Sequence, residues 1–287
     1  MSLAKRPFLK MNGAGNAIVV LDLRDSDHIV SAAEARAIAK APDSHFDQLM
    51  VLHRPQSAHT NAFMRIYNTD GSASSACGNG TRCVAWAMLQ GAPADELQLE
   101  TDAGLLACHR DGEFTFTVDM GEPRFDWQDI PLSRPVASPD AVDFHFGSAE
   151  APLLTTPSVV SMGNPHVIFF VENVAAWDVP GIGPKIEHDP LFPHRVNVSF
   201  AEVIAKDAMN LRVWERGAGE TLACGSGACA AAVAAARRSL TGRDVRIALP
   251  GGELRIQWRK SDNHVLMTGP VELEHAGQFD PAIFETA

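Results

Sequence analysis

The sequence predicts an α+β protein that consists of two similar domains, each with a mostly antiparallel sheet curled around one helix. Three observations lead to this fold class. Short runs rich in Val, Ile and Phe, bounded by Gly, Pro or Asn, dominate the chain and are typical of strands. Two alanine-rich helices stand out among these runs, and the segments around the two helices recur in the same order. A chain of 287 residues with 46% hydrophobic residues is long and apolar enough for two cores.

Composition argues against several classes of function. Lys and Arg number 24 against 35 Asp and Glu, so the net charge is −11, and nucleic acids or anionic membrane surfaces would be repelled on average. The N-terminus lacks the apolar stretch of a secretory signal, and the longest apolar run, residues 228–236, is too short to span a bilayer. Five cysteines are few for a disulfide framework and favour reduced thiols. We therefore expect a cytoplasmic protein that binds neither nucleic acid nor a membrane.

The predicted strands lie in both halves of the chain. The clearest are residues 17–23, 48–53, 62–67, 114–119, 166–171, 210–215 and 254–258. The first predicted helix begins at Ser31, because Glu34 three residues later completes a capping box, and Pro42 ends it. Six of the 18 prolines fall within residues 123–157, where helical periodicity is weak. This stretch indicates a boundary region with an edge strand.

The two alanine-rich helices complete the predicted elements, and each follows a Cys-Gly-x-Gly turn. One begins near Gly78 and ends by Gly91, and the other begins near Gly225 and runs to Gly242. Arg237 lies towards the end of the latter, where a cation complements the helix dipole.

An internal repeat relates the two halves. Each half carries an Asn before a strand, a basic-apolar-aromatic triplet and a Cys-Gly-x-Gly turn, and each turn leads into one of the alanine-rich helices. Asn16 precedes Cys77 by 61 residues, and Asn164 precedes Cys224 by 60. The repeated segments are Arg65-Ile66-Tyr67 with Cys77-Gly78-Asn79-Gly80, and Arg212-Val213-Trp214 with Cys224-Gly225-Ser226-Gly227. We infer a duplication, which would place equivalent residues on opposite sides of one cleft.

The two Cys-Gly-x-Gly turns carry the chemistry. Glycines leave the backbone N–H groups accessible, and the helix that follows adds the positive end of its dipole, so each turn can bind a carboxylate. The same dipole is expected to lower the pKa of the thiol towards neutrality. Two thiols around one carboxylate can act as an acid–base pair, the thiolate removing a proton from one face of a carbon and the thiol delivering one to the other. Such a pair inverts a stereocentre without a carbonyl cofactor.

At this point the sequence resembles the diaminopimelate epimerase family of cofactor-independent amino-acid epimerases and racemases. The matching segments follow the family order over most of the chain, and the stretch from Glu215 to Gly227 is highly specific. They are Gly13-Ala14-Gly15-Asn16, Phe46-Asp47-Gln48, Arg65-Ile66-Tyr67-Asn68, Asp70-Gly71-Ser72, Cys77-Gly78-Asn79-Gly80, Met162-Gly163-Asn164-Pro165-His166, Arg195-Val196-Asn197-Val198 and Glu215-Arg216-Gly217-Ala218-Gly219-Glu220-Thr221 with Cys224-Gly225-Ser226-Gly227.

The resemblance implies an activity and a set of site residues. The activity is PLP-independent interconversion of LL- and meso-diaminopimelate, in lysine and peptidoglycan precursor biosynthesis. Cys77 and Cys224 would be the acid/base thiols, and His166 and Glu215 would tune their protonation. The implied substrate-binding residues are Asn16, Gln48, Asn68, Gly78, Asn79, Asn164, Asn197, Arg216, Gly225 and Ser226. A guanidinium such as that of Arg216 suits the carboxylate at the distal end of the substrate.

The resemblance also implies an architecture. The family fold is a pair of barrel-like sheets, each wrapped around a central helix, and the last residues return to the first domain. We therefore expect one domain from residues 1–123 with 270–287 and a second from residues 124–269. The family is usually a homodimer.

Other interpretations remain open for parts of the pattern. Asn16 and Asn68 are compatible with turns, His166 with a buried strand histidine, and Glu215 with a surface charge pair. A racemase of the same fold acting on proline or histidine is the alternative function. A zinc or redox protein is disfavoured because the cysteine spacings do not match the usual pairs. Gly-x-Gly pairs without a third glycine disfavour a nucleotide-binding enzyme. A PLP enzyme needs a Schiff-base lysine, and no lysine here has a recognisable setting for one. We expect neither a metal nor a cofactor.

Overall fold

A computed structural model describes residues 3–74, 77–148 and 152–285. The chain forms two compact units, Met1–Asp119 with Thr268–Ala287, and Met120–Met267. The domain boundaries expected from the sequence lie at residues 123–124 and 269–270.

Strands dominate the described residues. In chain order the elements are β1 (Pro7–Gly13), β2 (Asn16–Asp22), α1 (Ala32–Lys40), β3 (Gln48–His53), β4 (Ala62–Asn68), β5 (Ala73–Ser74), α2 (Gly78–Leu89), β6 (Glu96–Thr101), β7 (Gly104–Gly112), β8 (Thr115–Asp119), β9 (His145–Gly147), β10 (Pro152–Thr155), β11 (Ser158–Ser161), β12 (Pro165–Phe170), α3 (Val179–Glu187), β13 (Asn197–Ala205), β14 (Ala208–Glu215), β15 (Gly219–Thr221), α4 (Gly225–Arg237), β16 (Asp244–Leu249), β17 (Gly252–Trp258), β18 (Val265–Pro270) and β19 (Glu272–Gln278). Short 3₁₀ helices occupy Pro42–Ser44, Val174–Ala176 and Pro281–Phe284.

In the first unit a mostly antiparallel sheet surrounds α2. β1 pairs antiparallel with both β2 and β19, while β2 with β3 and β4 with β6 are the parallel pairs. The pairs β3–β4, β4–β5, β6–β7 and β7–β8 are antiparallel. Helix α2 contacts β1, β2, β3, β7 and β8, and its residues from Gly78 to Trp86 are all buried. A helix buried on every face needs such a surrounding sheet.

The second unit repeats this order of pairings around α4. β11–β12 is antiparallel, β12–β13 parallel, β13–β14 and β14–β15 antiparallel, β14–β16 parallel and β16–β17 antiparallel. Helix α4 contacts β11, β12, β13, β16 and β17, and its residues from Gly227 to Ala235 are all buried. The predicted fold class of two similar sheet-and-helix halves is confirmed at the level of strand order.

Local signals predict most helix starts correctly. Ser31 caps α1, with both hydrogen bonds of the capping box to Glu34 present. Helix α4 ends earlier than expected, at Arg237, because the chain turns at Ser239 with φ 57°. Helix α3 is absent from the prediction, since its sequence Val-Pro-Gly-Ile-Gly-Pro-Lys-Ile-Glu contains four helix-breaking residues. Tertiary packing compensates: a Cβ on Gly183 would lie 2.4 Å from Cγ of Trp214.

The boundary stretch forms a small sheet of its own, in which β9 pairs antiparallel with β10. Among the helices of the described residues, none is both long and apolar enough to cross a membrane.

Candidate active site

Cys77 is the N-cap residue of α2. Its backbone is extended, with φ −151° and ψ 96°, and its Sγ accepts a hydrogen bond from the Gly80 N–H at 3.2 Å. A Cβ on Gly80 would lie 2.5 Å from Sδ of Met50, so a larger residue there would force the Met50 side chain to move. N–H groups in the first turn of a helix point out of its N-terminus, where they can donate to a carboxylate near the thiol.

Cys224 has the same place at the N-terminus of α4. Its Sγ accepts from the Gly227 N–H at 3.3 Å and lies 3.7 Å from Oγ of Ser226. A Cβ on Gly227 would stand 3.1 Å from this sulfur and 3.2 Å from a methyl group of Val213, so a larger residue would crowd both. The Cys224 side chain is buried, whereas Cys77 is half-buried. The two helix starts thus share a backbone and differ in exposure.

Asn16 lies beside Cys77 because of a tight hairpin. β1 and β2 are joined by Ala14 and Gly15, with φ 58° and 90°, the left-handed pair that a two-residue turn requires. Asn16 Oδ1 lies 4.0 Å from Cys77 Sγ, and its Nδ2 donates to Oδ2 of Asp47 at 3.0 Å. Asp47 also accepts from the backbone N–H of Ala17 at 2.8 Å.

Gln48 and Asn68 lie opposite each other on β3 and β4. The Asn68 amide donates to Oγ of Ser72 at 3.0 Å, and the Asn68 N–H donates to the Ser72 carbonyl at 2.9 Å, so this side chain belongs to a turn as well as to the strand end. Asn79 is buried on α2, and its Oδ1 accepts from Nη2 of Arg82 at 3.1 Å.

Asn164 joins two predicted residues of the second unit. Its Nδ2 donates to Oγ of Ser226 at 3.2 Å, and its Oδ1 lies 2.9 Å from Nε2 of His166. His166 is fully buried, and burial, assisted by the positive charge of Arg216, lowers its pKa from 6.5 to about 3. The imidazole is therefore neutral at physiological pH and donates its Nε2 hydrogen to Asn164.

Asn197 is the polar residue in an apolar strand that the sequence singles out. It is 3% exposed, its Nδ2 donates to the Pro165 carbonyl at 2.9 Å, and its Oδ1 accepts from the Arg216 N–H at 2.9 Å. Its amide therefore connects the start of β12 to the end of β14. The guanidinium of Arg216 is exposed and donates to the His194 carbonyl at 3.2 Å.

Glu215 influences the second thiol directly. Its carboxylate accepts from Oγ1 of Thr221 at 2.5 Å. Burial raises the pKa of Cys224 well above its usual value, and the negative charge of Glu215 raises this pKa further. The expectation that the helix dipole lowers the pKa towards neutrality is therefore wrong for Cys224, because removal from water and an adjacent carboxylate outweigh the dipole.

Contacts within each unit bring the predicted residues together in small groups. In the first unit Asn16 lies by Cys77 and Gln48 pairs with Asn68. In the second unit Asn164 links His166 to Ser226, Asn197 holds Arg216, and Glu215 acts on Cys224. The remaining three cysteines, Cys83, Cys108 and Cys229, are buried.

Three further polar residues hold the predicted ones and were not singled out from the sequence. Asp47 and Thr221 stand inside the quoted motifs and support Asn16 and Glu215. Glu187, at the end of α3, contacts the loop that follows β14, and no local pattern distinguishes it. Within the described residues, no group of three or more His, Cys, Asp or Glu side chains could hold a metal ion.

Comparison with solved structures places the fold among epimerases and racemases. A probable proline racemase from Agrobacterium radiobacter superposes with a TM-score of 0.70 at 14% identity, covering 98% of this chain and 94% of its own. A predicted epimerase from Pseudomonas aeruginosa superposes with a TM-score of 0.68 at 17% identity, covering 96% and 99%. Identities this low indicate a shared fold. The chain therefore has the fold of these proteins, in which a sheet surrounds each of two helices.

Sequence comparison is more specific. The family model for diaminopimelate epimerase matches residues 8–126 and 158–274. The diaminopimelate epimerase of Methylocella silvestris is 56% identical over 285 residues, which is 99% of this chain and 98% of that protein. One from Methylorubrum extorquens is 57% identical over 289 residues, with 98% and 97% covered. The chain belongs to the diaminopimelate epimerase family, and the resemblance seen in its motifs is confirmed.

Proposed function

We propose that this protein is an isomerase that interconverts LL- and meso-diaminopimelate, in lysine and peptidoglycan precursor biosynthesis. The observation that carries the proposal is the pair of thiols that cap α2 and α4, each within a glycine-rich turn of a chain that belongs to this family. The proposed reaction moves the α-proton between Cys77 and Cys224 and needs no PLP.

The helix N-termini would hold the reacting carboxylate. Backbone N–H groups of Gly78 and Asn79, and of Gly225 and Ser226, occupy the first turns of α2 and α4. These groups would donate to the carboxylate in the ground state and more strongly to the enolate-like charge that develops when the α-proton leaves. A fixed set of donors lowers the barrier because it is oriented before the reaction begins.

The proton transfer uses opposite roles for the two thiols. The Cys77 thiolate would take the α-proton, so the Cα–H bond breaks, an S–H bond forms and the electron pair delocalises into the carboxylate. The Cys224 S–H bond would then break as its proton bonds to the opposite face of the same carbon, leaving a thiolate at Cys224. The reverse direction exchanges the roles.

The electrostatics of the second unit supports this assignment. Burial and the Glu215 carboxylate raise the pKa of Cys224, so the Cys224 thiol is protonated and suited to act as the acid. Neutral His166 would hold Asn164 in place through the 2.9 Å contact. Within the proposal, Glu215 and His166 therefore act on the thiol and on the substrate cradle, respectively.

The distal end of the substrate accounts for the remaining polar residues. Diaminopimelate carries a second amino acid group, and the exposed guanidinium of Arg216 can bind its carboxylate in a bidentate manner. The side-chain amides of Asn16, Gln48, Asn68, Asn164 and Asn197 supply the donors and acceptors that an ammonium and a carboxylate need.

Incubation of the protein with LL-diaminopimelate in D₂O tests the activity. We expect the meso isomer to form with deuterium at the inverted α-carbon. If LL-diaminopimelate is unchanged while proline or histidine acquires deuterium, the alternative racemase activity of the same fold is correct instead.

We also infer a homodimer in the cytoplasm. Support for the compartment comes from the proposed chemistry, which needs reduced thiols, and from the five cysteines, none of which forms a disulfide within the described part of the chain. Support for the dimer comes from the family resemblance. Light scattering on the purified protein measures the mass, and a monomer across micromolar concentrations would contradict the dimer.

A further inference from the structure

Glu187 is a buried carboxylate whose partners lie at the end of β14 and in the turn that follows it. Its side chain is 3% exposed, and it stands at the C-terminal end of α3. Oε2 accepts from the indole Nε1 of Trp214 at 2.7 Å, and Oε1 accepts from the backbone N–H of Gly217 at 3.0 Å. Nη1 of Arg195 lies 3.8 Å from Oε1. A buried carboxylate is costly unless it is paired and hydrogen-bonded, and both oxygens of Glu187 have partners.

The two hydrogen bonds bracket the residues proposed to act on the substrate. Trp214 immediately precedes Glu215, and Gly217 immediately follows Arg216. Arg216 and Gly217 are exposed, and Gly217 has φ 76°, a conformation that glycine adopts without strain. Pairing of β14 with β15 holds the ends of this turn at Glu215 and Gly219, and its exposed residues depend on further contacts for their orientation.

Asn197 supplies a second anchor for this turn, and the anchor that Glu187 supplies differs from it. Asn197 Oδ1 accepts the N–H of Arg216, and the Ala218 N–H closes a turn onto the Glu215 carbonyl at 3.1 Å. These bonds define the turn itself. Glu187 joins the turn to the side chain of Trp214, which packs on α3 at Gly183. The Glu187 carboxylate therefore fixes the position of the turn relative to both α3 and β14.

We propose that Glu187 is a positioning residue that holds Glu215 and Arg216 in the orientation required for the second amino acid group of the substrate. This rests on the proposed function for its kinetic consequences, whereas the anchoring itself can be measured without any substrate. Glu187 touches neither substrate nor reacting atoms in this scheme. It acts through residues 214–217, which are the end of β14 and the start of the turn after it.

The test replaces Glu187→Gln, which keeps the size of the side chain. A glutamine oxygen can accept one of the two N–H groups, but its NH₂ group faces the other donor, so one hydrogen bond is lost. Glu202→Gln is the control for the loss of a carboxylate charge elsewhere in the second unit. Glu202 also accepts a backbone N–H, from Val174 at 3.2 Å, and a side-chain N–H, from Asn210 at 3.3 Å, and neither of these belongs to the loop.

Kinetics with diaminopimelate gives the first readout. We expect Glu187→Gln to lower kcat/KM by about ten- to a hundred-fold, with most of the loss in KM, because a displaced Arg216 weakens binding of the distal group throughout the reaction. Glu202→Gln should stay within about two-fold of wild type. In an Arg216→Ala background, Glu187→Gln should lower kcat/KM by a smaller factor than in the wild type, since one of the two residues through which it acts is gone.

Amide hydrogen exchange gives the second readout and needs no activity. In the wild-type protein the Gly217 N–H should exchange slowly although the residue is exposed, and Glu187→Gln should speed its exchange about ten-fold while Glu202→Gln does not. If the wild type does not turn over diaminopimelate but the Gly217 N–H exchanges as expected in all three proteins, only the proposed function is overturned. If Glu187→Gln and Glu202→Gln have the same Gly217 exchange rate and the same KM, the role of Glu187 is overturned. If Glu187→Gln does not fold, a Gly217 amide that exchanges at the unprotected rate in the wild type overturns the proposal by itself.

Discussion

The surroundings of Cys77 and of Cys224 have the same backbone and different chemistry. Asn68 precedes Cys77 by nine residues, as Glu215 precedes Cys224, and Ile18 follows Asn16 by two residues, as His166 follows Asn164. Ile18 pairs in register with Gln48 and His166 with Asn197, so these are equivalent places in the two sheets. An apolar and an amide side chain in the first unit thus correspond to an imidazole and a carboxylate in the second.

This difference shows how one duplicated scaffold can supply two unlike thiols. The same helix N-terminus supports both cysteines, yet Cys224 is buried next to a carboxylate, whereas Cys77 is half-buried. For Cys224, burial and the nearby carboxylate outweigh the helix dipole in setting the pKa of the thiol. In the reaction proposed for the site one sulfur begins as base and the other as acid, and a raised pKa at Cys224 favours the state in which Cys224 holds the proton.

The turns after β4 and β14 differ in a related way. In the first unit Asp70 and Ser72 close the turn locally, and Arg36 of α1 donates to the Asp70 carbonyl at 3.1 Å from an exposed position. In the second unit the anchor is the buried Glu187 of α3. The helix between the second and third strands of each repeat therefore contacts the turn in both halves, but only the contact from α3 is removed from water.

Loss of either thiol is the largest effect expected. Cys77→Ala and Cys224→Ala should each lower turnover of diaminopimelate by at least about a thousand-fold, because each removes one of the two proton carriers. Steady-state kinetics with the isolated isomers measures this. Cys108→Ala, which removes a buried thiol in β7, is the control and should retain activity within about two-fold. Substantial turnover in either of the first two variants would show that the halves do not contribute one thiol each.

Neutralising Glu215 should reduce the asymmetry between the thiols. The carboxylate raises the pKa of Cys224, so Glu215→Gln lowers that pKa, and the alkaline limb of the pH–rate profile should move to lower pH. At neutral pH we expect kcat/KM to fall by about ten-fold. Glu220→Gln is the control, because Glu220 lies in the same β14–β15 hairpin but pairs with Arg212 at 2.7 Å. An alkaline limb that does not move would sink the electrostatic role of Glu215.

His166→Ile gives the second sheet the isoleucine that Ile18 provides in the first. We expect this change to have a smaller effect than the preceding ones, and to act on the pH dependence of stability. Folded His166 has a pKa of about 3 against 6.5 for the free side chain, so the folded state binds fewer protons and stability falls as pH drops below 6.5. From pH 7 to pH 5 this costs the wild type about 2 kcal/mol.

Urea unfolding at the two pH values measures that loss. We expect the acid-induced decrease in the free energy of unfolding to be smaller in His166→Ile by about this amount. His145→Gln serves as the control, since His145 is exposed and lies 3.1 Å from Asp143. An unchanged acid sensitivity in His166→Ile would mean that the imidazole is not held neutral by burial.

Prediction from the sequence succeeds where the determinants are local. The capping box of Ser31 and the glycines after Cys77 and Cys224 act within one helical turn, and strand runs depend on neighbouring residues. Helix α3 escapes prediction because its prolines and glycines oppose helix formation, and the space beneath Trp214 that requires Gly183 is not visible in the local sequence.

The sequence by itself determined the duplication, the two thiol-capped helices and the family. Each of these is recorded in residues that lie close together along the chain or recur at a constant interval. Tertiary structure alone decided that the pKa of Cys224 is raised and what anchors the Arg216 loop. Burial of Cys224, and the 27 to 30 residues that separate Glu187 from Trp214 and Gly217, arise only when distant strands pack. Desolvation and long-range hydrogen bonds are properties of that packing, and no local pattern encodes them.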